Sequence, residues 1–490
     1  MTRLSRSTLD RLPADVARPR YDRSGQQVGI VHLGIGAFQR AHQAAYVDDR
    51  LAAGERDWMV LGASLRSAET RDALMPQDGL YSVVVRSGDD NAVRVIGAVR
   101  DVLVVPEGPE PLLAAMASPH VRIVSLTVTE KGYCHDPASG ALREDHPDIR
   151  RDLADPARPH TAPGLIVEAL RRRRAAGVAP FTVLSCDNLS SNGAITRGIV
   201  SRFAALRDAD LGRFVAGEVA FPATMVDRIT PATTEADRAM VADRLWVADA
   251  WPVITEPFSQ WVIEDCFPTG RPRFEEAGAE LVSDVEPYEA MKLRLLNGAH
   301  SLIAYLGYLA GHETVADTIA QPAFARLVRA FMDAEVTPTL HRPPGADLDG
   351  YKAQLLARFA NTALKHRTLQ IAMDGSQKLP PRLLGTVRDR LRVGAPIDRL
   401  ALVVAGWMRF VSGRDEAGRA VELRDPMAAR LREIADEAGP DATRLARALF
   451  GIGEIFGDDL PADPRFTSRV ERALESLFER GAARTVEAHG

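Results

Sequence analysis

The run KLRLLNGAH, residues 292–300, spaces a lysine, an asparagine and a histidine so that a helix would bring them together. No proline interrupts it, and its leucines are good helix formers. At about 100° per residue, Glu289, Lys292, Asn297 and His300 fall within an arc of roughly 140°. Leu293 and Leu296 share that arc, so the polar groups emerge from a partly apolar surface. Desolvation there disfavours an ammonium and lowers its pKa, which turns Lys292 into a proton donor and acceptor usable near neutrality. Asn297 and His300 add neutral hydrogen-bond donors beside it. The chemistry that this set suits is proton transfer to or from a bound substrate.

The elements that must position such a helix differ along the chain. An irregular arm over 1–27 leads into the β-rich run VGIVHL at 28–33, then GIGAFQRAH at 34–42. A strand that runs into Gly-x-Gly and then a helix opens a dinucleotide-binding βα unit. Gly34 and Gly36 would let backbone N–H groups approach a pyrophosphate. The fingerprint is incomplete, because Gln39 stands where a third glycine is usual. A second strand at 58–63 ends at Arg66, where an acid usually meets the ribose of NAD; an arginine there suits a 2′-phosphate. Strands at 81–85 and 93–97 pair through a polar turn at 87–91. A strand at 121–127 runs into Thr129-Glu130, and one at 181–185 stops at Cys186-Asp187-Asn188. Both turns lie at the sheet edge where open α/β sheets bind ligands. A helix over 164–176 carries Arg171 to Arg174 as a solvated face. The run FPATMVDRITP at 221–231 repeats the pattern of an apolar entry followed by Asp227 and Arg228. From about 285 the texture becomes helical, with segments at 287–312, 322–333, 351–362, 381–393, 397–412, 426–437, 441–450 and 465–482.

At 490 residues, the chain is too long for one core. The reading is α/β: a Rossmann-type domain over 1–284, then a mainly α-helical domain over 285–490. Composition is that of an ordinary soluble protein, 46% hydrophobic and 26% charged with net charge −5. This gives no bias toward nucleic acid or membrane. Cys134, Cys186 and Cys266 are far apart, which suits a reducing compartment and shows no metal spacing. The N-terminus has no apolar core, so cytoplasm is the expected location, with a monomer or weak homo-oligomer.

Taken together, GIGAFQRAH at 34–42, TVTEKGY at 127–133, SCDN at 185–188, FPATMVDRITP at 221–231 and the Lys-x4-Asn-x2-His set at 292–300 resemble the polyol-specific long-chain dehydrogenases, the mannitol dehydrogenase family. The resemblance covers nearly the whole chain. It implies a zinc-independent oxidoreductase with its active site in the cleft between two domains, using NAD. Arg66, in place of the ribose acid, leaves NADP open. It implies that Lys292 is the general acid/base, that Asn188 and Asn297 are oxyanion donors, and that His300 and Asp227 meet substrate hydroxyls. Glu289 would carry protons to solvent. The cofactor set is Gly34, Gly36, Phe38, Arg40, Arg66, Thr129 and Glu130. The stretches at 125–134, 256–265, 296–311 and 366–383 are most similar to members that interconvert D-fructuronate and D-mannonate. The alternative is a polyol dehydrogenase acting on D-fructose and D-mannitol. A uronate carboxylate calls for a cation, for which Arg367 is the first choice and Lys378 the reserve.

Overall fold

The computed structural model describes residues 1–88, 90–136 and 139–489. It divides into two compact units, Met1–Glu286 and Pro287–Gly490. Among its described residues the first contains eleven strands: β1 Val28–Leu33, β2 Met59–Ser64, β3 Tyr81–Ser87, β4 Asp90–Ile96, β5 Val99–Val104, β6 Ile123–Leu126, β7 Thr182–Ser185, β8 Thr224–Asp227, β9 Val253–Thr255, β10 Gln260–Glu264 and β11 Glu280–Val282. Five of them form a parallel sheet in the order β5-β2-β1-β6-β7. Helices connect its strands, which is the Rossmann arrangement the glycine turn predicts.

The sheet strands read as nearly unbroken apolar runs because both faces are covered. Side chains alternate between faces. Val31, Leu33, Leu61, Ala63, Val124, Leu126 and Val183 enter one core. Ile30, Val60, Ile123 and Leu184 enter the other. Each such side chain contributes roughly 1.5–3 kcal/mol by burial. The remaining strands form two small sheets, β4-β3-β9 and β11-β10-β8. β3 and β4 pair antiparallel, as their alternation predicts; Asp89 in the turn joining them lies outside the described residues. Strands β5, β9 and β11 are additions to the sequence reading. They are short or polar on one face, so their periodicity is weak.

Helix Ala162–Ala175 corrects the reading of its arginine run. Arg171 and Arg172 do reach solvent, while pairing with the buried Glu168. Arg173 instead is 1% exposed. Its guanidinium donates to the carbonyls of Met116, Ser118, Val121 and Ala179. It closes the carbonyl ends of a neighbouring helix and loop, and burial pulls its pKa down to about 10.

The second unit is helical, with long helices at Gly298–Leu309, Leu348–Phe359, Asp398–Val411 and Pro464–His489, the last broken at Gly481. Three turns among its described residues are π-helical: Lys292–Asn297, Phe331–Val336 and Pro380–Leu384. Such turns are rare, occur mostly as single turns within α-helices, and are frequent at functional sites. The first packs against the other two. Gly298 sits at their junction: a Cβ there would lie 3.3 Å from both the Phe331 ring and the Arg382 carbonyl oxygen. Among the described residues, no helix is long and apolar enough to cross a membrane.

Candidate active site

Glu289 lies on the helical turn Glu286–Met291, which runs directly into the π turn Lys292–Asn297 and then into helix Gly298–Leu309. A π turn closes i→i+5 bonds, so residues five apart stack along the axis. Lys292 and Asn297 are such a pair. Absorbing one extra residue rotates everything after it backward, so the arc holding Glu289, Lys292, Asn297 and His300 narrows to roughly half of the α-helical estimate. The sequence reading identified the set, but the helix type tightens it. Lys292 is 7% exposed and His300 8%, while Asn297 and Glu289 are half-buried.

Around His300 the second unit assembles further groups. The Phe359 ring packs on it at 4.8 Å, and the His366 ring meets it edge-on at 5.5 Å. His300 Nε2 is buried without a hydrogen-bond partner among the described residues. Burial holds the His300 imidazole well below its ordinary pKa, and repulsion from His366, Arg382, Arg358 and Lys292 adds to this. His366 is pulled down to about 4, by burial and then by Lys378. Both rings are therefore neutral at pH 7, and each offers one hydrogen-bond donor and one acceptor without carrying charge. Lys378 donates its ammonium to the carbonyls of Ile371 and Met373, at 3.2 and 2.6 Å. Arg367 is placed differently from the clamp expected of it. Its side chain is 69% exposed and lies 3.4 Å from Glu313. The residue caps the short helix Thr368–Ala372, a position that sends its side chain outward.

In the first unit, Gly34 needs its missing Cβ. Its φ is +88°, and a Cβ would meet the Thr127 carbonyl oxygen at 2.2 Å. Thr127 in turn donates its hydroxyl to the Gly34 carbonyl at 2.8 Å. The buried ring of His32 bridges Ser125 and Thr127 at 2.8 and 2.7 Å, which fastens β1 to β6 beneath the turn. Gly36 begins helix Ala37–Ala41, and a Cβ there would meet only the Gly34 carbonyl, at 3.8 Å. A side chain would fill that open approach, so the turn suits close contact with a phosphate backbone. Phe38 stacks on His42 at 5.0 Å. Arg66 is exposed just beyond β2.

Arg40 departs from its expected cofactor role. It is 4% exposed and donates to the Trp251 carbonyl, with its guanidinium 5.2 Å from the Tyr81 ring centre. The Tyr81 hydroxyl donates back to the Arg40 carbonyl at 2.8 Å. The helix turns this arginine inward, where it pins the glycine-loop helix to β3 and the segment before β9. Gln39, in place of the third glycine, is likewise buried.

Beyond β6 and β7 the backbone is strained. Thr129 has φ +63° and Ser191 +50°, which L side chains rarely adopt, and a β-branched residue least of all. Such residues cost on the order of 1–3 kcal/mol and persist where the surroundings over-determine them. Asp187 does this for Thr129: its carboxylate accepts the N–H groups of Val128 and Thr129, both at 3.0 Å, and the Tyr133 hydroxyl at 2.9 Å. It thereby fixes the Thr129-Glu130 turn, both residues of which are exposed. It also orients the exposed Asn188 that follows it. Asn192 then ties this loop to β8 through the Thr224 N–H and carbonyl, both at 2.9 Å, and β8 ends at the buried Asp227. Asp187 and Asn192 were missed by the sequence reading; the only signal was their place beside Asn188.

Burial pushes the Asp187 carboxyl up to about 6, against the pull of its three donors. A raised carboxyl pKa means the folded protein binds the proton more tightly. Its contribution to stability is full below about pH 4 and is lost as pH rises through about 6. We expect wild type to lose up to about 3 kcal/mol relative to Asp187→Asn across that window. Melting temperatures of both proteins from pH 4 to 7 check this. Parallel curves would mean that Asp187 does not titrate there.

The sequence matches the mannitol dehydrogenase Rossmann domain over residues 28–276 and the mannitol dehydrogenase C-terminal domain over 284–478. It is 48% identical to D-mannonate oxidoreductase of Escherichia coli (strain K12), over 96% of this chain and 98% of that protein. It is 44% identical to mannitol 2-dehydrogenase of Pyrenophora tritici-repentis, over 96% and 84% respectively. The fold superimposes on the ternary complex of Pseudomonas fluorescens mannitol 2-dehydrogenase with NAD and D-mannitol, with TM-score 0.91, 42% identity and 99% coverage of both chains. With both domains matched in order and the relatives covered nearly end to end, the chain belongs to the mannitol dehydrogenase family of oxidoreductases.

Proposed function

We propose that this protein is an NAD-dependent fructuronate reductase, interconverting D-fructuronate and D-mannonate. The similarity to D-mannonate oxidoreductase over nearly the full length of both proteins carries this reading. The cation-rich surroundings of His300 support it, because a uronate is an anion.

Bound NAD(H) supplies or accepts the hydride. Gly34, Gly36, Phe38, Thr129 and Glu130 are the residues that would hold it, with Arg66 at the ribose end. The chain's own groups handle charge and protons. Lys292 donates its ammonium proton to the carbonyl oxygen of the ketose as that oxygen becomes an alkoxide, and takes it back in the reverse direction. Asn297 donates its side-chain amide to the same oxygen, and Asn188 is the second donor that the family resemblance assigns. His300, neutral and with Nε2 unpartnered, meets a substrate hydroxyl. Asp227 accepts from another hydroxyl. Glu289, three residues before Lys292, passes the proton to solvent.

A second reading, mannitol 2-dehydrogenase acting on D-fructose and D-mannitol, draws on the 44% identical relative and the superimposed ternary complex. Assays of D-fructuronate and D-fructose with NADH and with NADPH separate the two. We expect kcat/KM to favour D-fructuronate and NADH. A preference for D-fructose would install the second reading. A more than tenfold preference for NADPH, about 1.4 kcal/mol, would overturn NAD as the coenzyme and implicate Arg66.

A further inference from the structure

A sugar acid and a polyol differ by one carboxylate, so the enzyme's specificity has to reside in whatever meets it. The group must be cationic, near the hydroxyl-binding His300, and open on one side. Four cations surround the His300–His366 pair in the second unit, and three can be set aside. Lys292 is the proton-transfer group. Lys378 commits its ammonium to the Ile371 and Met373 carbonyls, which holds the loop beneath His366. Arg358 is 9% exposed on the last turn of helix Leu348–Phe359, which leaves its guanidinium little access to a ligand.

Arg382 remains. It lies on the π turn Pro380–Leu384, whose backbone reaches the catalytic helix at Gly298, between Asn297 and His300. That approach leaves little room for a larger residue at 298, and it sets Arg382 beside the two residues that hold the sugar. Arg382 is half-buried, neither sealed in the core as Arg358 is nor out in solvent as Arg367 is. A guanidinium presents its five donors in a planar fork that matches both oxygens of a carboxylate. Charge supports the placement: after His366, the groups whose charge acts on His300 are the cations Arg382, Arg358 and Lys292. A neutral hydroxymethyl group would gain nothing from such a field; a carboxylate would.

We propose that Arg382, held against the catalytic helix by Gly298, clamps the substrate carboxylate and sets the preference for a sugar acid over a polyol. This rests on the reading of D-fructuronate as substrate. The test compares wild type, Arg382→Met, Arg382→Lys and Arg367→Met on D-fructuronate and D-fructose. The readout is the ratio of kcat/KM for the two substrates. Charge-assisted bonds of this kind give a fall in that ratio of about ten- to a hundredfold for Arg382→Met. Arg382→Lys should lie between that variant and wild type, since an ammonium keeps the charge and loses the fork. Arg367→Met should shift the ratio less than about threefold, as expected for an exposed pair. Should Arg382→Met fail to fold, the lysine variant carries the test by the same ratio. An unchanged ratio in the Arg382 variants, or a larger fall in Arg367→Met, overturns the clamp alone. A wild-type enzyme that reduces D-fructose but not D-fructuronate overturns the uronate reading and the clamp with it.

Discussion

Lys292→Ala should lower turnover by about 10²–10⁴-fold, the usual contribution of a positioned proton-transfer group, while fold and coenzyme binding survive. The lysine is 7% exposed on a π turn whose neighbours Leu295 and Leu296 are buried. Its stem is packed, so the loss could in principle come from a cavity. Two further measurements separate the causes. Lys292→Met fills the space and should be as inactive as the alanine variant. Small primary amines added to Lys292→Ala should restore part of the rate, because they return an ammonium to the vacated site. A structural lesion would respond to the methionine and ignore the amine. If Lys292→Ala keeps more than a tenth of wild-type turnover, the general acid/base is another residue.

What could be read before folding depended on how local the signal was. The strand Val28–Leu33 was legible to the residue, because a doubly covered parallel strand is a continuous apolar run ended by glycine. The Lys-Asn-His spacing was legible because it lies within one helix. The π turn was not: an apolar pattern reports an average period near 3.6 and cannot show where one extra residue is absorbed. Arg40 misled because it follows a phosphate-type glycine turn. The phase of a five-residue helix, invisible in composition, decided that it faces Tyr81 and Trp251. Arg367 misled for the opposite reason, since a motif-rich segment gave no hint that its side chain leaves the surface toward Glu313. Arg382 and Arg358 were overlooked because they come from segments remote from the catalytic run, and only tertiary packing brings their charge to bear on His300. Asp187 shows the same limit: its partners Val128, Thr129 and Tyr133 lie on another loop.

Asn297→Ala should cost about 10²–10³-fold in kcat, roughly 2.7–4 kcal/mol, the usual loss for one oxyanion donor. The π turn makes this residue more than a neighbour of Lys292. Five residues on, it stands over the lysine along the helix axis, so amide and ammonium converge on one side. An amide donates to the substrate oxygen most strongly when that oxygen is an alkoxide, so the loss belongs in kcat and not in KM. The backbone role of the residue should persist in the variant, because the Ser301 hydroxyl bonds to the Asn297 carbonyl and not to its side chain. Asn297→Asp makes the sharper test. It keeps the size and replaces the donor with an anion facing the developing negative charge, so it should reduce ketose more slowly than the alanine variant. Its carboxylate would also hold the nearby Lys292 ammonium more tightly and so slow proton donation further. Should Asn297→Asp match or outrun Asn297→Ala, or should the alanine variant lose less than tenfold, Asn297 does not stabilise the alkoxide and the π turn serves to place Lys292 and His300 alone.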